Sequence, residues 1–268
     1  MSRNFLVPHD FTPVGDMALK QAIYLAKATD ATVSLLHVVK NDKLKAEAEV
    51  KLKKIKAKTV EDHPNIKVKL YAVAGDIFTD IGKTAEALKS SVIIMGTHGA
   101  KGMQKVFGSF AMKVITSTSV PFMVVQNDSV IKKMERIVFP LGIQAETLQI
   151  MGFCSNLAKA FGAEVHLVAE KQTDARFANK TKINFQVVGK QMKANDVKVK
   201  MEYLDGSGSF LKKILDYTQQ VKGDMIAVSY YNESMIPAFD RFAQNIITNE
   251  LNIPSLIINS KSVSSPYF

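Results

Sequence analysis

Apolar residues in this chain fall into short β-branched runs, separated by longer stretches with helical spacing. The short runs predict strands over residues 5–7, 32–39, 67–73, 92–95 and 122–125. The stretches between them predict helices over 13–29, 42–63, 77–89 and 109–117. Thr12 is the expected N-cap of the first helix, with Pro13 at its first position. Ala18, Ala22, Ile23 and Ala26 give that helix its apolar face. Most of the strands are apolar on both faces, as in a parallel sheet covered by helices.

The pattern is then repeated. "RNFLVP" (3–8) returns as "ERIVFP" (135–140), and "ATVSLLHVV" (31–39) as "AEVHLVAE" (163–170). "IKVKLYAVAG" (66–75) returns as "VKVKMEYLDG" (197–206), and "SVIIMG" (91–96) as "DMIAVS" (224–229). "AMKVITSTSVPFMVV" (111–125) returns as "AQNIITNELNIPSLII" (243–258). Matches in one order at an offset of 131–133 residues mean two copies of one domain, joined in the polar segment 127–134. The expected fold class is therefore α/β, with two tandem doubly wound domains over 1–130 and 135–268. Each is a five-stranded parallel sheet with helices on both faces. In such sheets a ligand sits beyond the carboxyl ends of the strands, where the strand order reverses. The loops expected there in the first copy are "PHDFTP" (8–13), the residues after Val39, and the glycine-rich stretch after strand four.

Composition narrows the function. The 268 residues suit two domains, and an apolar fraction of 47% gives each a core. No apolar run reaches the ~18 residues of a membrane span, and neither a secretory signal nor a membrane partner is expected. Cys154 is the single cysteine, so there is no internal disulfide, and a cytoplasmic location is expected. The net charge is +10, but the lysines concentrate at 40–58, where Leu44, Val50, Leu52 and Ile55 sit among Lys, Glu and Ala. That pattern reads as the solvated face of an amphipathic helix. No zinc-finger spacing or aromatic stripe accompanies it, and no nucleic-acid partner is expected.

The stretch "GTHGAKGMQKVFGS" (96–109) carries the candidate chemistry. Glycines let backbone N–H groups approach an anion, and a helix opening at Ser109 adds free donors and the positive end of its dipole. Ser109 both caps that helix and offers its hydroxyl to a phosphate. The stretch is neither G-x-x-x-x-G-K-[ST] nor a dinucleotide G-x-G-x-x-G after strand one. On physics alone it is either a phosphate cradle or a flexible strand–helix connection.

The segments "FLVPHDFTPVGDMALKQA" (5–22), "LLHVV" (35–39), "IIMGTHGAKGMQKVFGS" (93–109) and "VPFMVVQ" (120–126) resemble the universal stress protein family. The resemblance covers essentially the whole chain as a tandem member. It implies the adenine nucleotide α-hydrolase-like arrangement and a site for ATP or another adenine nucleotide, with or without Mg. Nucleotide-binding members carry G-x2-G-x9-G-[ST]. Here Gly96-x2-Gly99 and Gly108-Ser109 are present, but eight residues separate Gly99 from Gly108, one fewer than in the pattern.

Carried over, the resemblance implies that Asp10 meets the adenine and Val39 lies against the base. Pro8, Met95 and Gly96 border the ribose; Gly99, Gly108, Ser109 and the Phe110 N–H receive the phosphates. His9 stands where a smaller residue is usual and narrows the base pocket. Asp10 has a second reading as the carboxylate that holds its own loop or the Thr12 helix start. In copy two the Asp10 position falls near Gly142, and the loop becomes "SYYNESMIPAFDR" (229–241), without glycine and with Asp240-Arg241 in place of Gly108-Ser109. An aspartate there repels phosphate, so copy two is expected not to bind by the family mode. "GSGS" (206–209) reads as a turn and helix cap. The last strands, "VPFMVV" (120–125) and "IPSLII" (253–258), are expected to pair within one chain as an intramolecular pseudo-dimer, with higher oligomers left open.

His9, His37, His63, His98 and His166 show no zinc-ligand spacing, although His9 and His98 both belong to the ligand edge. No nucleophile elbow or Ser-His-Asp order occurs, and Cys154 reads as a buried helix residue. No catalytic residue and no metal site is assigned. The expectation is a cytoplasmic stress-response protein that binds an adenine nucleotide in copy one and is not an enzyme, with slow ATPase or autophosphorylation left open. The alternative is a nucleotide-independent interaction or scaffold module with an unknown protein partner. A third reading, an ATP pyrophosphatase, lacks the SGGxDS-type loop that such enzymes carry after strand one.

Overall fold

In the first half of the chain β1 (Asn4–Pro8) pairs with β2 (Thr32–Val39) on one side and β4 (Val92–Thr97) on the other, both parallel. β3 (Val68–Ala74) adds to β2, and β5 (Phe122–Gln126) adds to β4, giving the order β3-β2-β1-β4-β5. The chain thus starts in mid-sheet, winds outward to β3, then returns to the other side of β1. The computed structural model describes residues 3–97, 107–130, 132–141, 150–231 and 237–260. It divides into two units, Met1–Ile131 and Lys132–Phe268.

The helices of the first unit are α1 (Pro13–Thr29), α2 (Lys45–Asp62), α3 (Ile77–Ala87) and α4 (Phe107–Ile115). Val92, Ile93 and Ile94 of β4 are all buried, as are Phe122 to Val125 of β5. Neighbouring strand residues point to opposite faces, so helices must cover the sheet on both sides. β3, at the edge, is mostly half-exposed, with Lys69 fully so.

The second unit repeats this plan. Its strands are β6 (Arg136–Pro140), β7 (Glu164–Glu170), β8 (Lys198–Leu204), β9 (Met225–Tyr231) and β10 (Ser255–Ser260). Its helices are α5 (Met151–Phe161), α6 (Ala175–Ala194), α7 (Phe210–Gln220) and α8 (Pro237–Ile247). The order is β8-β7-β6-β9-β10, again parallel throughout. The doubly wound α/β fold predicted from the hydrophobic pattern is present twice.

Some local expectations are corrected. The helix predicted over 42–63 is interrupted at its start: Asn41 Oδ1 accepts from the Lys43 N–H and closes a 3-10 turn, Asp42–Leu44, before α2 begins. α2 buries only Ala48, Leu52 and Thr59, and its lysines face solvent. Thr12 occupies the N-cap of α1, but its side chain makes no capping bond; its hydroxyl donates to Asp10. α4 runs Phe107–Ile115, beginning two residues before the predicted helix, so Ser109 lies within its first turn. In "GSGS", Gly206 and Gly208 take left-handed φ values of 98° and 106°, and the Ser209 hydroxyl accepts from the Lys212 N–H at 3.3 Å, capping α7.

Candidate functional site

The loop between β1 and α1 is organised around His9, which is 3% exposed. Its backbone N–H donates to the Leu36 carbonyl at 2.8 Å, extending the β1–β2 ladder by one residue. Its own carbonyl accepts from His37 Nδ1 at 2.7 Å. On the ring, Nδ1 accepts from the Phe11 N–H at 3.0 Å, and Nε2 lies 3.1 Å from Asp16 Oδ1. A backbone N–H can only donate, so Nδ1 carries no proton and the neutral ring holds its proton on Nε2, facing Asp16. Burial, the largest influence, lowers the His9 pKa; the Asp16 and Asp10 carboxylates oppose that shift, and His37 adds to it.

Phe11 sits at φ 64°, a left-handed conformation unusual for a bulky residue. Its ring packs on His37, 4.2 Å between centroids, with the Lys51 ammonium 5.4 Å from its centre. Asp10 is exposed, and its Oδ1 accepts from both the Thr12 N–H (3.1 Å) and the Thr12 hydroxyl (2.6 Å). α1 approaches this loop closely. A Cβ at Gly15 would lie 2.9 Å from Asp10 Oδ1 and 3.0 Å from His9 Nδ1, so only glycine fits without displacing the loop.

Beyond the carboxyl ends of β1, β2 and β4, at the point where strand order reverses, lies a cavity of about 320 Å³. Pro8, His9 and Asp10 line it from the first loop, and Leu36, His37 and Val38 from β2. Ile77, Phe78 and Ile81 of α3 and Phe110, Ala111 and Val114 of α4 form the opposing wall. Met95, Gly96 and Thr97 close it along β4. The wall is apolar apart from the histidines, Asp10 and Thr97. Phe78 and Phe110 stack with 5.6 Å between centroids, and the Lys113 ammonium lies over both rings.

Of the residues singled out from the sequence, Pro8, His9, Asp10, Met95, Gly96 and Phe110 line this one cavity. Val39 does not. It is buried on the face opposite Val38, by the two-residue period of a strand, and its carbonyl accepts from the Gly75 N–H. Gly108 and Ser109 belong to the first turn of α4, where backbone N–H groups have no partner within the helix. Gly99 and His98 lie outside the described residues. The α3 wall went unnoticed in the sequence. Its signal was the apolar "IF" directly after the Asp76 N-cap, at a helix start where polar residues are usual. No group of three or more His, Cys, Asp or Glu able to hold a metal exists among the described residues.

The second unit departs at the matching places. Leu141 stands where His9 does, its N–H donating to the Val168 carbonyl at 2.7 Å. The residue matching Val38 is Glu170, which pairs with Lys213 of α7 at 2.8 Å; the Lys213 side chain is only 13% exposed. A charge pair thus stands where the first unit has the apolar Val38. Gly142, and residues 232–236 of the loop before α8, lie outside the described residues.

The first unit is a doubly wound α/β unit with a largely apolar cavity at its switch point and a carboxylate at the rim, the place where units of this class take small ligands. The universal stress protein family profile matches residues 1–126. Universal stress protein MJ0531 of Methanocaldococcus jannaschii is 30% identical over 141 residues, covering 46% of this chain and 82% of that protein. The chain belongs to the universal stress protein family. A universal stress protein from Archaeoglobus fulgidus matches both units in fold, with a TM-score of 0.77 at 18% identity, over 97% of this chain and 99% of that one. A second Archaeoglobus fulgidus universal stress protein, solved in complex with dAMP, matches 48% of this chain and 100% of its own at 15% identity and a TM-score of 0.40.

Proposed function

We propose that the first unit binds ATP or a related adenine nucleotide in the cavity between β1, β2, β4 and the α3–α4 wall. The observation that carries this reading is the cavity itself. Its position at the switch point, its apolar wall and the first turn of α4 suit a planar base at one end and an anion at the other. The first-turn N–H groups and the dipole of α4 favour phosphate near Gly108 and Ser109. Asp10, anchored through one oxygen to Thr12, is at the rim where a base amino group would donate.

The second unit, with Glu170–Lys213 in the matching wall, does not bind by this mode. The nucleotide acts as a signal in a cytoplasmic stress response and is not turned over rapidly, which fits the engagement of His9, His37 and Asp10 in holding the loop. No helix among the described residues is long and apolar enough to cross a membrane.

Nucleotide analysis of the denatured protein, with calorimetric titration of ATP, tests the proposal. Binding that Gly108→Val abolishes is expected, since a branched side chain there blocks the approach of phosphate to the backbone. Absence of binding at about millimolar ATP would leave the interaction-module reading in its place. Steady-state phosphate release well above background would overturn the signal role.

A further inference from the structure

We propose that His9 is a positioning residue: its neutral ring latches the loop that presents Asp10 to the cavity, so ligand binding weakens when His9 takes up a proton. This rests on the nucleotide reading of the same cavity and adds a regulation to it. Every polar group of His9 is engaged. The backbone pair ties it to Leu36 and His37 of β2, and the ring ties it to Phe11 and to Asp16 of α1. The second proton can enter only at Nδ1, which already accepts the Phe11 N–H at 3.0 Å. Two donors would then face each other in a buried site, and the bond must break.

Phe11 is the residue least able to stay in place once released. Its left-handed φ of 64° is costly for a phenylalanine and persists only while the surroundings hold it. Asp10 lies between the two, and Thr12, which binds its carboxylate, follows directly. The charged and titratable groups around the ring are Asp16 from α1, Asp10 from the loop itself and His37 from β2. Lys51 of α2 lies behind Phe11. The carboxylates favour protonation of His9; burial outweighs them and keeps the ring neutral at neutral pH.

The test is the affinity of the full chain for adenosine, a probe without phosphate, measured by titration calorimetry from about pH 8 to about pH 5. Wild type is expected to bind at the upper end and to lose affinity below the ordinary histidine range, approaching about tenfold per pH unit once the ring is mostly charged. His9→Asn places an amide oxygen near Nδ1 and does not titrate. Having lost the contact with Asp16, it should bind more weakly than wild type at the upper pH, but show no acid loss. His9→Ala, checked for folding by circular dichroism, should bind about tenfold more weakly and without pH dependence. A wild-type affinity that is flat with pH, or a His9→Asn profile identical to a falling wild-type one, overturns the latch while leaving the nucleotide reading intact. Failure of wild type to bind adenosine or ATP at any pH overturns both.

Discussion

A Cβ at residue 96 would run into the backbone carbonyl of Val14 and its Cγ1, where the first turn of α1 crosses β4. This glycine therefore serves helix–strand packing whatever the ligand does. Gly96→Ala should cost about 1–3 kcal/mol of stability by overpacking, seen as a lowered thermal midpoint even without ligand. Cys154 is fully buried in α5, and burial pushes its thiol up to about 12. It should stay unreactive towards a thiol reagent in the native protein and react at once in denaturant. His9 also links stability to pH. Its folded pKa lies below 6.5, so the unfolded chain binds the proton more readily. The stability it contributes is complete above 6.5 and falls away as the pH drops from there through the folded value. A chemical-denaturation series over that window should show a loss that His9→Asn reduces.

Among the elements, the strands and α1 were the most legible, because β-branched runs and a threefold-to-fourfold apolar spacing are local signals. The start of α4 was less so: Phe107 and Gly108 read as loop because a glycine next to a serine marks a cap in sequence, whereas here both fall in the first turn. The α3 wall was missed because Ile77 and Phe78 sit far in sequence from the glycine stretch, and only the return from β3 to β4 brings them to the cavity. In the second unit the corresponding helices meet through Phe210 and Phe242, rings 6.2 Å apart, although Phe210 opens α7 whereas Phe78 is the second residue of α3. An aromatic contact between the third and fourth helices in both units belongs first to helix packing.

In the second unit Asp224 ties β9 to β6. One carboxylate oxygen accepts from the Glu135 and Arg136 N–H groups, and the other pairs with Lys132 at 2.7 Å. Its side chain is 7% exposed. Asp224→Ala leaves those groups without their acceptor and should cost about 3 kcal/mol, measured by urea unfolding.

For the whole molecule, the repeat at an offset of 131–133 residues carried most of the fold, and the fold then located the site, since the switch point follows from strand order. What distinguishes the two units was only partly legible. The loss of glycine before α8 stands in the sequence, but the Glu170–Lys213 pair emerges only when β7 and α7 are brought together. Where the first unit has an apolar cavity lined by Val38, the second has the Glu170–Lys213 pair at the matching strand position, and the proposal of one nucleotide site per chain rests on that difference. The direct measurement is calorimetric titration of the full chain with ATP, alongside Gly108→Val. A stoichiometry of about one nucleotide per chain, lost in the variant, is the predicted result. Two sites per chain, binding that survives Gly108→Val, or none at all would contradict it.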